Sequence, residues 1–146
     1  MSSNWVQTRV TLLVFALALV CLSASVLARQ APAKGDPEAA KIKNPVAATS
    51  ESISAGQKQY QGLCAGCHGK DAKGGITVSV IEDRGGNQPP DLTNDKWDHG
   101  SSDGEIFTVV KKGIAPEYFM APWDGRISDE EIWNMVNYIK SLSQNK

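Results

Sequence analysis

The chain has 146 residues, with 15 Lys and Arg against 16 Asp and Glu and a formal net charge of −1 at pH 7. So balanced a chain provides no basic field for nucleic acid, and that class of partner is set aside. The length supports one small domain rather than two.

Residues 1–28 read as a secretory signal peptide. Met1 to Arg9 is short and polar with one positive charge, Val10 to Val20 is apolar apart from Thr11, and Val26, Leu27 and Ala28 close the segment with a small residue at the cut. Left uncleaved, Val10 to Leu27 is at the lower edge of what spans a bilayer and would act as an anchor, the one route to membrane contact. Cys21 lies in this stretch, but bulky Val20 before it argues against lipid attachment. Cleavage leaves 118 residues, fourteen basic against sixteen acidic side chains, and two cysteines. Residues 29–50, rich in Ala, Pro and Lys without apolar periodicity, read as a flexible linker, and residues 51–146 as the folded domain.

A helix is expected from Ser52 to Leu63, where Ile53, Gly56, Tyr60 and Leu63 share one face. It runs into Cys64, Ala65, Gly66, Cys67 and His68, a C-x-x-C-H run that marks covalent attachment of a c-type haem. Two thiols three positions apart on a helical turn reach the two vinyl groups of one porphyrin as thioethers, and His68 is then held beneath the iron as proximal ligand. Other readings of the pair are weaker. A zinc site wants a fourth ligand, and after cleavage only His99 and carboxylates remain to supply it. A thioredoxin-like redox pair wants a preceding strand, whereas a Gly-rich loop follows here. A Cys64–Cys67 disulfide would close a very short loop, stabilise little and leave His68 unexplained. Bacterial haem attachment of this kind takes place outside the cytoplasm, in agreement with the leader.

Ile76 to Ile81, between Gly74–Gly75 and Gly85–Gly86, is the one strand-like run, too short and alone to make a sheet. Ser102 and Glu105 form a capping box before Ile106, Phe107, Val109 and Val110, and Gly113 stops that helix. Ser128 and Glu131 repeat the device. Ile132, Met135, Val136 and Ile139 then share a face flanked by Trp133 and Tyr138, with the end expected near Leu142.

From about Ser52 to Ser143 the chain resembles class I, monohaem cytochromes c. The likeness lies in a helix leading into C-x-x-C-H, a Pro and Leu after the haem loop, a Met in a later loop and a last helix with an aromatic pair. It implies an all-α domain of about three to five helices wrapped around one covalently attached haem c with its iron, the first and last helices crossing. Gly56 and Tyr60 against Trp133, Met135 and Tyr138 look like that crossing. A glycine inside a helix costs roughly 1 kcal/mol against alanine and so wants a packing reason.

Met120, in the run Phe119, Met120, Ala121, Pro122, Trp123, looks like the sixth ligand of such cytochromes, although the usual proline directly after the ligand is here displaced by Ala121. Met135 reads as core filler. His99 is the competing ligand, which would give bis-histidine coordination. Pro90, followed by Asp91 and Leu92, resembles the segment whose proline carbonyl accepts a hydrogen bond from the proximal histidine. Trp97 and Arg84 are candidate donors to the haem propionates, Arg84 reading better as a solvated charge.

With His68 and Met120 on the two axial positions, the resemblance implies a one-electron carrier of an exported respiratory or dehydrogenase-linked chain. Such a protein is not itself an enzyme, though it can be the cytochrome subunit of an oxidoreductase complex. The expected partners are redox proteins, a dehydrogenase or bc1-type complex upstream and an oxidase downstream, and the expected location is the periplasm. The alternative, should Met120 not bind the iron, is an open-site haem sensor or peroxidase-like protein. Lys70, Lys73, Lys111 and Lys112 read as solvated charges rather than a docking ring.

Overall fold

The three long helices of this chain start at hydroxyl side chains. In the computed structural model, which describes residues 35–74 and 78–144, the Thr49 hydroxyl accepts from Ser52 N–H at 3.2 Å and opens α1, Ser50–Leu63. A single turn, α2, Ala65–His68, follows, and α3, Ser79–Asp83, comes after the haem loop. The Ser102 hydroxyl and the Glu105 carboxylate cap each other's backbone and start α4, Asp103–Lys112, which Gly113 ends at φ 70°. Ser128 and Glu131 form the same reciprocal pair ahead of α5, Asp129–Gln144. These caps satisfy N–H groups that the first turn leaves without partners. All the described regular structure is helical, in line with the all-α expectation.

The crossing of α1 and α5 organises the core. A methyl group built on Gly56 would fall on the Asn134 carbonyl, with Met135 N at 2.9 Å, so the helices touch backbone to backbone there. Around that contact Tyr60, Ile132, Met135 and Val136 are fully buried. The Tyr60 and Tyr138 rings meet at 5.4 Å between centroids, and α4 joins through Phe107, stacked on Trp133 at 3.9 Å.

Two expectations differ from the structure. The described end of the strand-like run, from Ser79 to Ile81, falls in the short helix α3; without a partner strand, the N–H groups of Ile81 and Glu82 find the Val78 carbonyl one turn back. Ile76 and Thr77 lie outside the described residues, as does the expected signal segment 1–28.

The second difference concerns the expected linker, which from residue 36 onward is docked on the helices. Asp36 N–H donates to Glu105 at 3.1 Å, and Ala39, in a 3-10 turn Ala39–Lys41, is buried where Gly104 leaves room for its carbonyl. Asn44 donates to Asn137 Oδ1 at 2.8 Å. Asn137 in turn donates to Val46 O, Ala47 O and Ser52 Oγ at 3.1, 3.3 and 2.9 Å. Composition pointed to a solvated chain; side-chain amides on α5 that need partners hold it instead. No helix among the described residues is long and apolar enough to cross a membrane.

Candidate functional site

The C-x-x-C-H run sits where α1 gives way to α2. Cys64 N–H still bonds the Tyr60 carbonyl at 2.8 Å, while the Cys64 carbonyl accepts from Cys67 and His68 N–H at 3.1 and 2.9 Å. This one turn brings Cys64, Cys67 and His68 onto adjoining positions of the backbone. Neither sulfur is in a disulfide; Cys67 is exposed and Cys64 half-buried. Burial, reinforced by Cys67, pushes the Cys64 thiol up to about 11, so this sulfur is a neutral group, seated 3.9 Å from Met135 Sδ.

His68 is largely withdrawn from water, with Nδ1 fully buried. Burial lowers its pKa and the Pro90 backbone acts in the opposite sense, with burial the larger effect. Among the described residues Nδ1 has no hydrogen-bond partner. Nδ1 therefore faces the protein and Nε2 is the nitrogen left for a metal.

Met120 lies in the segment between α4 and α5, tied back to α4. Ile114 N–H donates to the Met120 carbonyl at 2.9 Å, and Trp123 N–H and Asp124 N–H donate to carbonyls at the end of α4. A side chain on Gly113 would collide with this stretch, at 2.5 Å from Met120 O and 2.8 Å from Pro122 N. The neighbouring Phe119 ring and the Ile81 side chain both pack on Gly86. Met120, Cys64, Leu92 and Trp97 all pack, half-buried, against the same buried apolar cluster.

Other candidates fare differently. Trp97 donates its single N–H to the Asn94 carbonyl at 2.9 Å, which corrects its expected role as a propionate donor: an indole has one hydrogen to give and it is in use. His99 and Arg84 are exposed. Lys111 pairs with Asp129 at 2.6 Å and lies over the Phe107 ring, so it belongs to an intramolecular contact. Two positions that the sequence did not assign to the site also shape it. The Tyr60 hydroxyl donates to Gly69 O, and Gly74 packs on Pro90. In a sequence, one looks like a core aromatic and the other like a hinge.

A family model described as cytochrome c oxidase, cbb3-type, subunit III matches residues 51–139, well over half of the chain. This chain belongs to that family of c-type cytochromes. It is 31% identical over 93 residues to the cbb3-type cytochrome c oxidase subunit FixP of Bradyrhizobium sp. (strain ORS 278), covering 64% of this chain and 28% of that protein. It is 30% identical over 95 residues to subunit CcoP of Rhodobacter capsulatus, covering 61% and 29%. It thus spans less than a third of the length of these curated relatives. Among solved structures, a chain of the reducing HAO-like protein complex of Kuenenia stuttgartiensis matches at a TM-score of 0.59 and 29% identity, over 70% of this chain and 48% of that one.

Membership of the family brings a covalently bound haem c with its iron. The residues present fit that group. Two free thiols flank one turn, one of them a neutral sulfur on an apolar wall, and a histidine with its inner nitrogen buried presents the other. This donor set suits thioether attachment and imidazole ligation of a low-spin iron.

Proposed function

We propose that this protein is a one-electron carrier, with the haem anchored at Cys64 and Cys67 and the iron held between His68 and Met120. The observation that carries the reading is the convergence of the C-x-x-C-H turn and a strapped methionine loop on one apolar cluster. When bound, the haem supplies a single iron centre that changes by one electron. His68 contributes Nε2 while its Nδ1 stays buried, and the Met120 thioether is a soft ligand that favours the reduced state. The buried aromatic and aliphatic side chains keep water out. With His68 and Met120 both holding the iron, no site would be left for dioxygen or peroxide, which separates a carrier from an open-site sensor or peroxidase-like protein.

The relatives' names as oxidase subunits support a place beside an oxidase, supplied from a dehydrogenase or bc1-type complex. Residues 1–28 act in this reading as the export signal to the periplasm, with membrane contact only where that segment is retained. Exposed Cys67 would hold the haem next to solvent, where electron transfer would take place over a small, weakly held contact surface.

Carbon monoxide tests the closed site. The reduced protein at neutral pH is expected to keep its spectrum unchanged under the gas. Avid binding would overturn the carrier reading in favour of an open site.

A further inference from the structure

Among the described residues four large apolar side chains are exposed, and three of them stand in or beside the segments that form the site. Leu63 directly precedes Cys64, Val80 lies in α3, and Tyr118 is two residues before Met120. Tyr118 is 49% exposed and Val80 48%. These two border one seam: the ring of Phe119, next to Tyr118, and the side chain of Ile81, next to Val80, both pack on Gly86.

The backbone sets Tyr118 apart from the other three. Its φ of 52° lies in the left-handed region, where the Cβ of an L-residue is crowded by the following carbonyl and a bulky side chain is rarely found. Glycine would stand there at no such cost. The turn imposes the conformation: Tyr118 N–H donates to the Ile114 carbonyl at 3.0 Å, and Ile114 N–H donates to the Met120 carbonyl at 2.9 Å. Strain of this kind persists where the surrounding structure over-determines it, and it gathers at ligand clamps. Tyr118 lies outside the buried cluster on which Met120 packs, so the protein's own core does not cover its ring. The large apolar group that belongs at this site is the haem.

We propose that Tyr118 is a haem-contact residue: the tied turn holds its ring, against the steric preference of the backbone, so that it covers the porphyrin on the side away from His68. Apolar surface buried against the cofactor offsets the strain. The inference rests on the proposed anchoring at Cys64 and Cys67 and on the methionine segment facing the haem, whether or not the Met120 sulfur reaches the iron.

The test reads the full-length haem protein in the ferrous state by NMR. Nuclear Overhauser contacts are expected between the Tyr118 ring protons and protons of the haem, with the ring signals displaced by the porphyrin ring current. A Tyr118 ring without those contacts, left free for a docking protein, would overturn the proposal. Tyr118→Asn gives a second reading, because asparagine tolerates left-handed backbone and removal of the ring then relieves strain. The variant haem protein is nevertheless expected to unfold at lower urea than wild type. A midpoint equal to that of wild type or above it would overturn the contact. Should Tyr118→Asn not yield folded protein, the wild-type spectrum decides. Carbon monoxide keeps the two readings apart: a protein that binds the gas contradicts closure by Met120, yet its adduct is diamagnetic and open to the same measurement on Tyr118.

Discussion

The Tyr60 hydroxyl donates to the Gly69 carbonyl at 2.9 Å, tying the buried centre of the α1–α5 crossing to the residue that follows His68. One phenol therefore joins the packing of the two long helices to the turn that presents the haem-attachment residues. Its ring is held by Tyr138, and its oxygen finds the one partner that leaves neither group unsatisfied in the interior.

Tyr60→Phe keeps the ring and removes the donor. A buried carbonyl left without its partner costs about 1–3 kcal/mol, so urea denaturation of the haem protein is expected to show a loss of about 1–2 kcal/mol. No loss would mean that the bond is absent in solution.

Gly56→Ala tests the crossing. Alanine is the better helix former by about 1 kcal/mol, yet its methyl group would fall on the Asn134 carbonyl. Overpacking costs typically about 1–3 kcal/mol and here the obstacle is backbone. The variant is expected to be less stable than wild type, where a glycine in open space would make it more stable. The sign alone is decisive.

Asn44→Ala distinguishes a docked segment from a linker. Asn44 gives up bonds to Asn137 Oδ1 and, at 3.3 Å, to the Trp133 carbonyl. The expected loss is about 1–2 kcal/mol in thermal or urea unfolding, against none for an asparagine in a solvated chain.

Acid should weaken the same face. Burial alone would raise the Glu105 pKa, but hydrogen bonds from the Ser102 hydroxyl, Ser102 N–H and Asp36 N–H together hold it below the ordinary 4.5. A depressed carboxylate contributes stability above its unfolded pKa and loses it as pH falls through the folded one. Wild type is therefore expected to lose more stability than Glu105→Gln as the pH is lowered from well above 4.5 to well below it. Parallel profiles would contradict this role.

The parts of this fold that were legible in the sequence are those with local signals. Ser102 with Glu105, and Ser128 with Glu131, lie three residues apart, so the pattern that caps each helix is also readable along the chain. Gly56 and Tyr60 repeat at helical spacing, which gave the crossing. Asn44 and Asn137 are 93 positions apart, and no local pattern joins them, so the segment before α1 read as linker from its composition. The candidate site divides the same way. Cys64, Cys67 and His68 are contiguous and define themselves, whereas the use of the Trp97 N–H by Asn94 and the seat of Pro90 on Gly74 depend on loop conformation.

The ferric absorption spectrum tests the central claim most directly, because a methionine sulfur on ferric haem iron gives a weak long-wavelength band of its own. The band is expected in wild type, lost in Met120→Ala, and retained in Met135→Leu, where the fully buried residue is a core side chain packed beside Cys64. A band that survives Met120→Ala, or that wild type lacks, would contradict ligation by Met120 and the closed, one-electron centre built on it.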